Sequence, residues 1–231
     1  MKEIKTIVLT IFSSFIKTIS GGVSLRHILL KIALIALLVS PANANDRVDE
    51  SVALIDRLIG HIHMVISNDP SEEEVLKETN YIIDNYFDYD LVARFSAGQA
   101  WRNASNDERE AYKIAFRQVM LNLAKTQFKS LATLEYSPKQ AVPKGDRLVV
   151  ASGIIHDKTG EFADATISWR VSTKANQPVK IIDIEVENIS MLITRQQEHT
   201  AIIQQNGGSF QALIDALIAQ AEDIGKSPSA N

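Results

Sequence analysis

The chain has no cysteine among its 231 residues. That excludes disulfides, thiolate metal sites and a cysteine nucleophile, and leaves an oxidising compartment open. It also lacks any uninterrupted apolar run near the ~20 residues that cross a bilayer. Its clearest such run, Ile32 to Val39, has eight residues. G-x-S-x-G, H-E-x-x-H and P-loop motifs are absent, which removes the commonest sequence signatures of acyl transfer, zinc hydrolysis and nucleotide binding. No internal repeat or low-complexity block interrupts the chain. Its length is enough for one domain with a core that folds without staples.

What is present begins with an export pattern. Arg26, His27 and Lys31 precede the Ile32 to Val39 run, and Pro41 and Ala42-Asn43-Ala44 follow it. This is the order of a cleaved signal peptide. Residues 1–44 are therefore expected to be removed, leaving a domain over 45–225 and a small-residue, disordered tail over 226–231. Cleavage after Ala44 removes five cations and one acid, so the formal charge goes from −4 to −8. An acidic domain does not suit nucleic acid, and charge does not hold it to anionic headgroups. The expectation is a periplasmic protein without stable membrane insertion.

Helical spacing dominates the first half. Val48, Val52, Ile55, Ile59, Ile62 and Ile66 recur every three or four residues, the stripe of an amphipathic helix. Ser71-Glu72-Glu73-Glu74 and Ser105-Asn106-Asp107-Glu108 are capping boxes. Each opens a helix, predicted to run to about Tyr86 and Thr126. Phe87 to Gly98 reads as a short helix or pair of turns. After Leu131 the apolar period shortens to two. The predicted strands are Leu134 to Tyr136, Arg147 to Ile155, Glu161 to Thr173, and one containing Ile182, Ile184 and Val186, with Pro138 to Asp146 as a loop. At Asn188 the alternation slips by one residue, and Ile189, Met191 and Ile193 resume it, which predicts a bulge or tight bend. A helix follows the polar run Thr194 to His199. Gly207-Gly208-Ser209 caps a last helix carrying Phe210, Leu213, Ile214, Leu217 and Ile218. The class is α+β: an antiparallel sheet of about four strands against a helical layer.

Candidates for chemistry have bland readings beside them. His61 and His63 lie two apart on a helix and point ~200° away from each other, so they do not share a metal. Asp88 and Asp90 fit a turn cap with Arg94 or Arg102 as partners better than an acid–base pair. Tyr81, Tyr86, Phe87, Tyr89, Phe95 and Trp101 are an aromatic cluster, read as core or as the wall of a ligand cavity. Ala163 and Ala165 place small side chains on a face shared with Ile167 and Trp169, which leaves room for a helix or for a ligand.

Two stretches carry a family resemblance. Asp183-Ile-Glu-Val-Glu-Asn-Ile-Ser-Met-Leu-Ile-Thr-Arg-Gln-Gln-Glu-His199 resembles the strand-to-helix segment of the MlaC family, the periplasmic phospholipid-binding (toluene-tolerance) proteins. Tyr86 to Arg94, Trp101 to Ser105 and the helix Arg109 to Met120 resemble its other markers, and the likeness spans about Val52 to Leu217. It implies a curved sheet facing helices, an apolar cavity between them, no cofactor and no catalytic residue. The implied partners are a phospholipid, an inner-membrane ABC transporter with an MCE-domain subunit, and an outer-membrane lipoprotein–porin complex. The implied role is maintenance of outer-membrane lipid asymmetry.

The lipid-binding residues expected are Phe87, Phe95, Trp101, Phe116, Met120, Ala163, Ala165, Ile167, Trp169, Ile184, Val186 and Met191. Phe116 and Met120 are expected to stand opposite the inner face of the long strand. Roughly 28 methylenes at ~0.8 kcal/mol each would cost over about 20 kcal/mol in water. A carrier must therefore enclose the tails, in a cavity near the upper end of the usual ~300–1,000 Å³. The headgroup can stay in solvent, so selectivity among phospholipids is expected to be low. Three other readings stay open: a carrier of a hopanoid or another polycyclic lipid, a small non-metal hydrolase or isomerase, and a structural interaction module.

Overall fold

The computed structural model describes residues 44–160 and 163–226. The expected signal peptide, 1–44, lies outside them but for Ala44, and the expected tail, 226–231, but for Lys226, which ends a helix. The order is α1 (Ala44–Ser67), α2 (Glu72–Tyr86), α3 (Tyr89–Ser96), a 3₁₀ turn (Gly98–Arg102) and α4 (Asn106–Gln127). A second 3₁₀ turn (Lys129–Thr133) leads into β1 (Leu134–Pro143), β2 (Leu148–Asp157), β3 (Ala165–Ser172), β4 (Lys180–Val186) and β5 (Ile189–Ser190). α5 (Met191–Gln205) and α6 (Phe210–Lys226) close the chain. The five strands form one curved antiparallel sheet in sequence order, β1-β2-β3-β4-β5. The class is α+β, as the sequence predicts.

Local chemistry sets the helix starts. Ser71 and Ser105 each accept from the N3 backbone N–H, while Glu74 and Glu108 reach back to the cap N–H. Two otherwise unpaired donors are satisfied at each helix start. Asp88 caps α3 by accepting from Leu91 N–H at 3.1 Å. Asp90 pairs with Lys113 at 3.0 Å, in place of the expected Arg94 or Arg102. Ser209 caps α6 through Ala212 N–H.

The sheet departs from the sequence reading in three places. β1 runs ten residues, through the stretch expected to be a loop. Prolines are tolerated there because β1 is an edge strand, bonded to β2 alone, and its register shifts between Pro138 and Gln140. Gly153 faces that irregularity: a Cβ there would meet the Tyr136 ring at 2.3 Å. β3 begins at Ala165, so Ala163 is exposed and lies outside the strand. The third departure is in β4. Its register against β3 shifts between Arg170↔Asp183 and Val171↔Ile181, which leaves Ile182 as the extra residue. Ile181 thereby joins Ile184 and Val186 on the side facing the sheet core.

The bend at residue 188 is a two-residue hairpin. Val186 pairs with Ile189, and the turn residues Glu187 (φ 51°) and Asn188 (φ 62°) both adopt left-handed backbone, as right-twisted hairpins require. The expected strand through Met191 and Ile193 is a helix instead. β5 lasts two residues because Ser190 becomes the N-cap of α5, accepting from Ile193 N–H at 3.0 Å.

Two large apolar cores result, with a smaller cluster of Val65, Val75 and Phe128 beside them. The sheet core joins Ile167, Trp169, Val171 and Ile181 to Leu54, Ile55 and Leu58 of α1 and to Tyr86. The helical core joins Tyr112, Phe116 and Val119 of α4 to Ile203 of α5 and to Phe210, Leu213, Ile214 and Leu217 of α6. Ile218 falls off this stripe and is exposed. Arg47 fastens the start of α1 to the β3–β4 connection by donating to the Lys174 and Gln177 carbonyls at 2.6 and 2.9 Å.

Asp183 ties the sheet to α5. Its carboxylate is 5% exposed and accepts from Ser190 Oγ–H at 2.6 Å and Leu192 N–H at 3.0 Å. Replacing Asp183 by Ala strands both donors, and hydrogen bonds to charged groups contribute ~1.5–3 kcal/mol each. The expected loss for Asp183→Ala is about 3 kcal/mol, read as a fall in melting temperature of roughly 6–12 °C for a domain of this size. Unchanged thermal unfolding would show that the tie carries no stability.

Candidate functional site

Where the two cores meet, an apolar cleft of about 300 Å³ remains. The helical side supplies Val92 of α3 and Phe116, Val119, Met120 and Leu123 of α4. Phe87 and the β4 residues Ile182 and Ile184 form the opposite wall, and Met191, Leu192 and Arg195 of α5 stand along one edge. The α4 residues recur at spacings of three and four, so one helix face builds the wall. Phe87 is held in place by a bridge to Ile181, with Asp88 N–H donating to the Ile181 carbonyl at 3.0 Å. Asp183 and Ser96 are the remaining polar members of the lining.

Of the twelve residues expected to touch lipid, the cleft gathers Phe87, Phe116, Met120, Ile184 and Met191. Trp101 packs instead on the helical core, under the Arg109 guanidinium. Phe95 is 41% exposed on α3. Ile167 and Trp169 are buried in the sheet core with α1, and Val186 packs against it. Ala165, at the start of β3, pairs with Ile155 of β2. The expected juxtaposition of the long strand's inner face with Phe116 and Met120 is therefore corrected. α1 covers that face, and the α4 residues meet β4 across the cleft. The aromatic cluster is likewise divided: Tyr86 belongs to the sheet core, Tyr89 and Trp101 pack on the helical core, and Tyr81 is exposed.

The sequence reading does not mark Val92, Ser96, Val119, Leu123, Ile182, Asp183, Leu192 and Arg195, which also line the cleft. The signal for Leu123 was legible, since it continues the Phe116–Met120 stripe. Arg195 and Leu192 were hidden by reading their stretch as strand and polar run.

Behind Ser96 lies a buried histidine. His199 is 2% exposed and edge-on to Tyr112 and Phe116. Its Nδ1 stands 3.1 Å from the Ser96 carbonyl and 3.1 Å from Tyr112 Oη. A carbonyl only accepts, so Nδ1 carries the proton. Burial, opposed by that hydrogen bond, lowers the imidazole pKa to about 4. His199 is thus neutral at pH 7, and it does not bond Ser96 Oγ. That oxygen is buried and has no partner among the described residues. The geometry gives Ser96 no general base, which nucleophilic catalysis by serine requires. Among the described residues, no group of three or more histidine, aspartate and glutamate side chains is placed to hold a metal. No described helix is long and apolar enough to cross a membrane.

A larger groove, about 560 Å³, runs between α4 and α6 and is flanked by exposed Ile114 and Ile218. It includes Ala111, Ala115 and Ala221, whose small side chains let the two helices approach closely.

The fold and cleft define an α+β domain with an apolar site between a sheet and a helical layer. The family model described as MlaC protein matches residues 54–219, and the chain belongs to that family. Among solved structures the chain is similar to a phospholipid-binding protein from Ralstonia solanacearum, determined in complex with a phospholipid. Identity is 16% and the TM-score is 0.66, over 77% of this chain and 98% of that one. At that identity the likeness concerns the fold. No curated protein matches the chain.

The buried imidazole sets a pH dependence. A folded-state pKa of about 4 lies below the unfolded value of ~6.5, so acid protonates the unfolded chain first. Stability falls as pH drops below ~6.5, by about 2 kcal/mol at pH 5, and the loss levels off below pH 4. His199→Gln is expected to flatten this slope between pH 7 and pH 5 in denaturant titrations. An unchanged slope would assign it to other groups.

Proposed function

We propose that this chain is a periplasmic phospholipid carrier that holds acyl chains in the cleft between its two cores. The observation that carries the reading is the cleft itself. It is apolar, lined from both layers, and sits at a seam between the helical and sheet cores. Membership of the MlaC family and the fold shared with the phospholipid-bound Ralstonia protein support it. We infer a binding role and no enzymatic step, since the cleft offers tail contacts and an unactivated serine.

Volume sets a condition on this reading. At ~30 Å³ per group, the share of a water molecule in the liquid, roughly 28 methylenes need about 800 Å³. The cleft provides about 300 Å³, so a full diacyl lipid requires the helical and sheet layers to part along the seam. The walls of each layer belong to different cores, so parting costs contacts at the seam and spares both interiors.

The same reading extends to the chain's setting. An inner-membrane ABC transporter with an MCE-domain subunit would exchange lipid with the carrier on one side, and an outer-membrane lipoprotein–porin complex on the other. The role served would be outer-membrane lipid asymmetry. A mature domain of formal charge −8 supports delivery through protein docks over direct adsorption to anionic bilayers.

Met120→Trp tests the cleft. A ring at Met120 occupies the space proposed for tails, so bound phospholipid, measured by native mass spectrometry and solvent extraction, is expected to fall at least fivefold. The lipid-free protein should keep its melting temperature within about 3 °C, whereas overpacking a filled core costs ~1–3 kcal/mol and moves it further. Wild-type lipid content in the variant would sink the site. A wild-type protein that purifies with a polycyclic lipid would replace phospholipid as cargo.

A further inference from the structure

We propose that the polar edge of the cleft reads the backbone of a glycerophospholipid: Arg195 binds the phosphodiester and Ser96 donates to an acyl ester carbonyl. This rests on the carrier reading and names the residues of this chain that recognise its cargo.

Arg195 is the sole cation in the cleft lining, set among Met191, Leu192 and Ile184. Its side chain is 38% exposed, so it stands at the solvent edge of the cleft. Nη1 donates to Glu198 at 2.6 Å. A guanidinium has five N–H donors in a planar fork, so Nε and Nη2 remain to grip two phosphate oxygens. Asp183, the acid in the same lining, is already committed. Its oxygens accept from Ser190 and Leu192, and Arg170 Nη1 lies 3.7 Å away. Its charge is thus directed into the tie between β4 and α5.

Ser96 is the second element. It is fully buried, lines the cleft, and its hydroxyl lacks a partner. An unpartnered buried hydroxyl is unfavourable until something accepts its proton. No described group stands within hydrogen-bond reach of that hydroxyl. A ligand that fills the cleft with tails brings ester carbonyls to their polar end. Acyl ester and glycerol-linked phosphate are common to all diacyl glycerophospholipids, so this readout selects the class and ignores the headgroup alcohol. A hydrocarbon-like polycyclic cargo lacks both.

The test uses purified protein stripped of lipid and four probes: dioctanoyl phosphatidylglycerol, its ether-linked analogue, dioctanoylglycerol, and inorganic phosphate. Wild type is expected to bind phosphatidylglycerol about tenfold more tightly than dioctanoylglycerol, and the ester lipid about threefold more tightly than the ether. Arg195→Gln should abolish the first ratio and keep the second, and Arg195→Lys should restore part of it. Ser96→Ala should abolish the second and keep the first. Binding of dioctanoylglycerol by Arg195→Gln reports that the fold and tail site are intact. A ratio unaltered by Arg195→Gln, or an ester preference unaltered by Ser96→Ala, overturns that contact. Inorganic phosphate binding as tightly as phosphatidylglycerol overturns the lipid reading of Arg195. Failure of wild type to bind either diacyl probe would instead remove the carrier reading beneath the proposal.

Discussion

The arrangement depends on one buried carboxylate. Asp183 takes a charge into the interior, which is tolerable only with close partners. It finds them in Ser190 and the backbone of Leu192, seven and nine residues further along. To deliver both, the chain must leave β4, reverse through Glu187 and Asn188, give two residues to β5 and start a helix at once. Ser190 then serves twice, donating to Asp183 and accepting from Ile193 N–H. The hairpin and cap fix where α5 begins. That in turn places Met191, Leu192 and Arg195 along one edge of the cleft and sets His199 behind Ser96.

Much of this is legible in the residues because it is local. Capping boxes at Ser71 and Ser105 depend on neighbours three positions away, and the slip at Asn188 depends on a period of two. Less legible is whatever is decided by a distant partner. Pro138 and Pro143 look like loop residues until β1 proves to be an edge strand. Ile181 looks solvent-facing until the extra residue Ile182 turns it inward. Phe116 and Met120 were expected opposite Ile167 and Trp169. Their helical spacing correctly gives an apolar face and cannot say which strand it meets, since α1 also presents one. His199 ends a polar run in sequence, and only the rings of Tyr112 and Phe116 on α4 show that it is buried.

The division into two cores gives the fold a mechanical character. The sheet core is closed by α1, which Arg47 pins at its start. The helical core is closed by stacked and edge-on rings from Tyr112, Phe116, His199 and Phe210. Close-packed interiors resist continuous deformation. A ligand that enters the cleft takes its space between the cores, where the lining belongs to neither alone. The same seam holds the unsatisfied hydroxyl of Ser96 and the one cation of the lining, so apolar volume and polar readout fall at the same place.

A carrier faces opposing demands: it must shield its cargo and also release it. Tails supply most of the interaction through area removed from water, which scales with contact and vanishes when the layers part. A fully buried ion pair on the phosphate would add binding that a partner must break at high cost. Arg195 avoids this by remaining partly in solvent, where a charge pair contributes modestly. Its contact with Glu198 through Nη1 persists when the phosphate leaves, so release would not strand a charge. On the proposed reading the apolar wall and the exposed cation divide holding from recognition, and separation of the two layers would weaken both together.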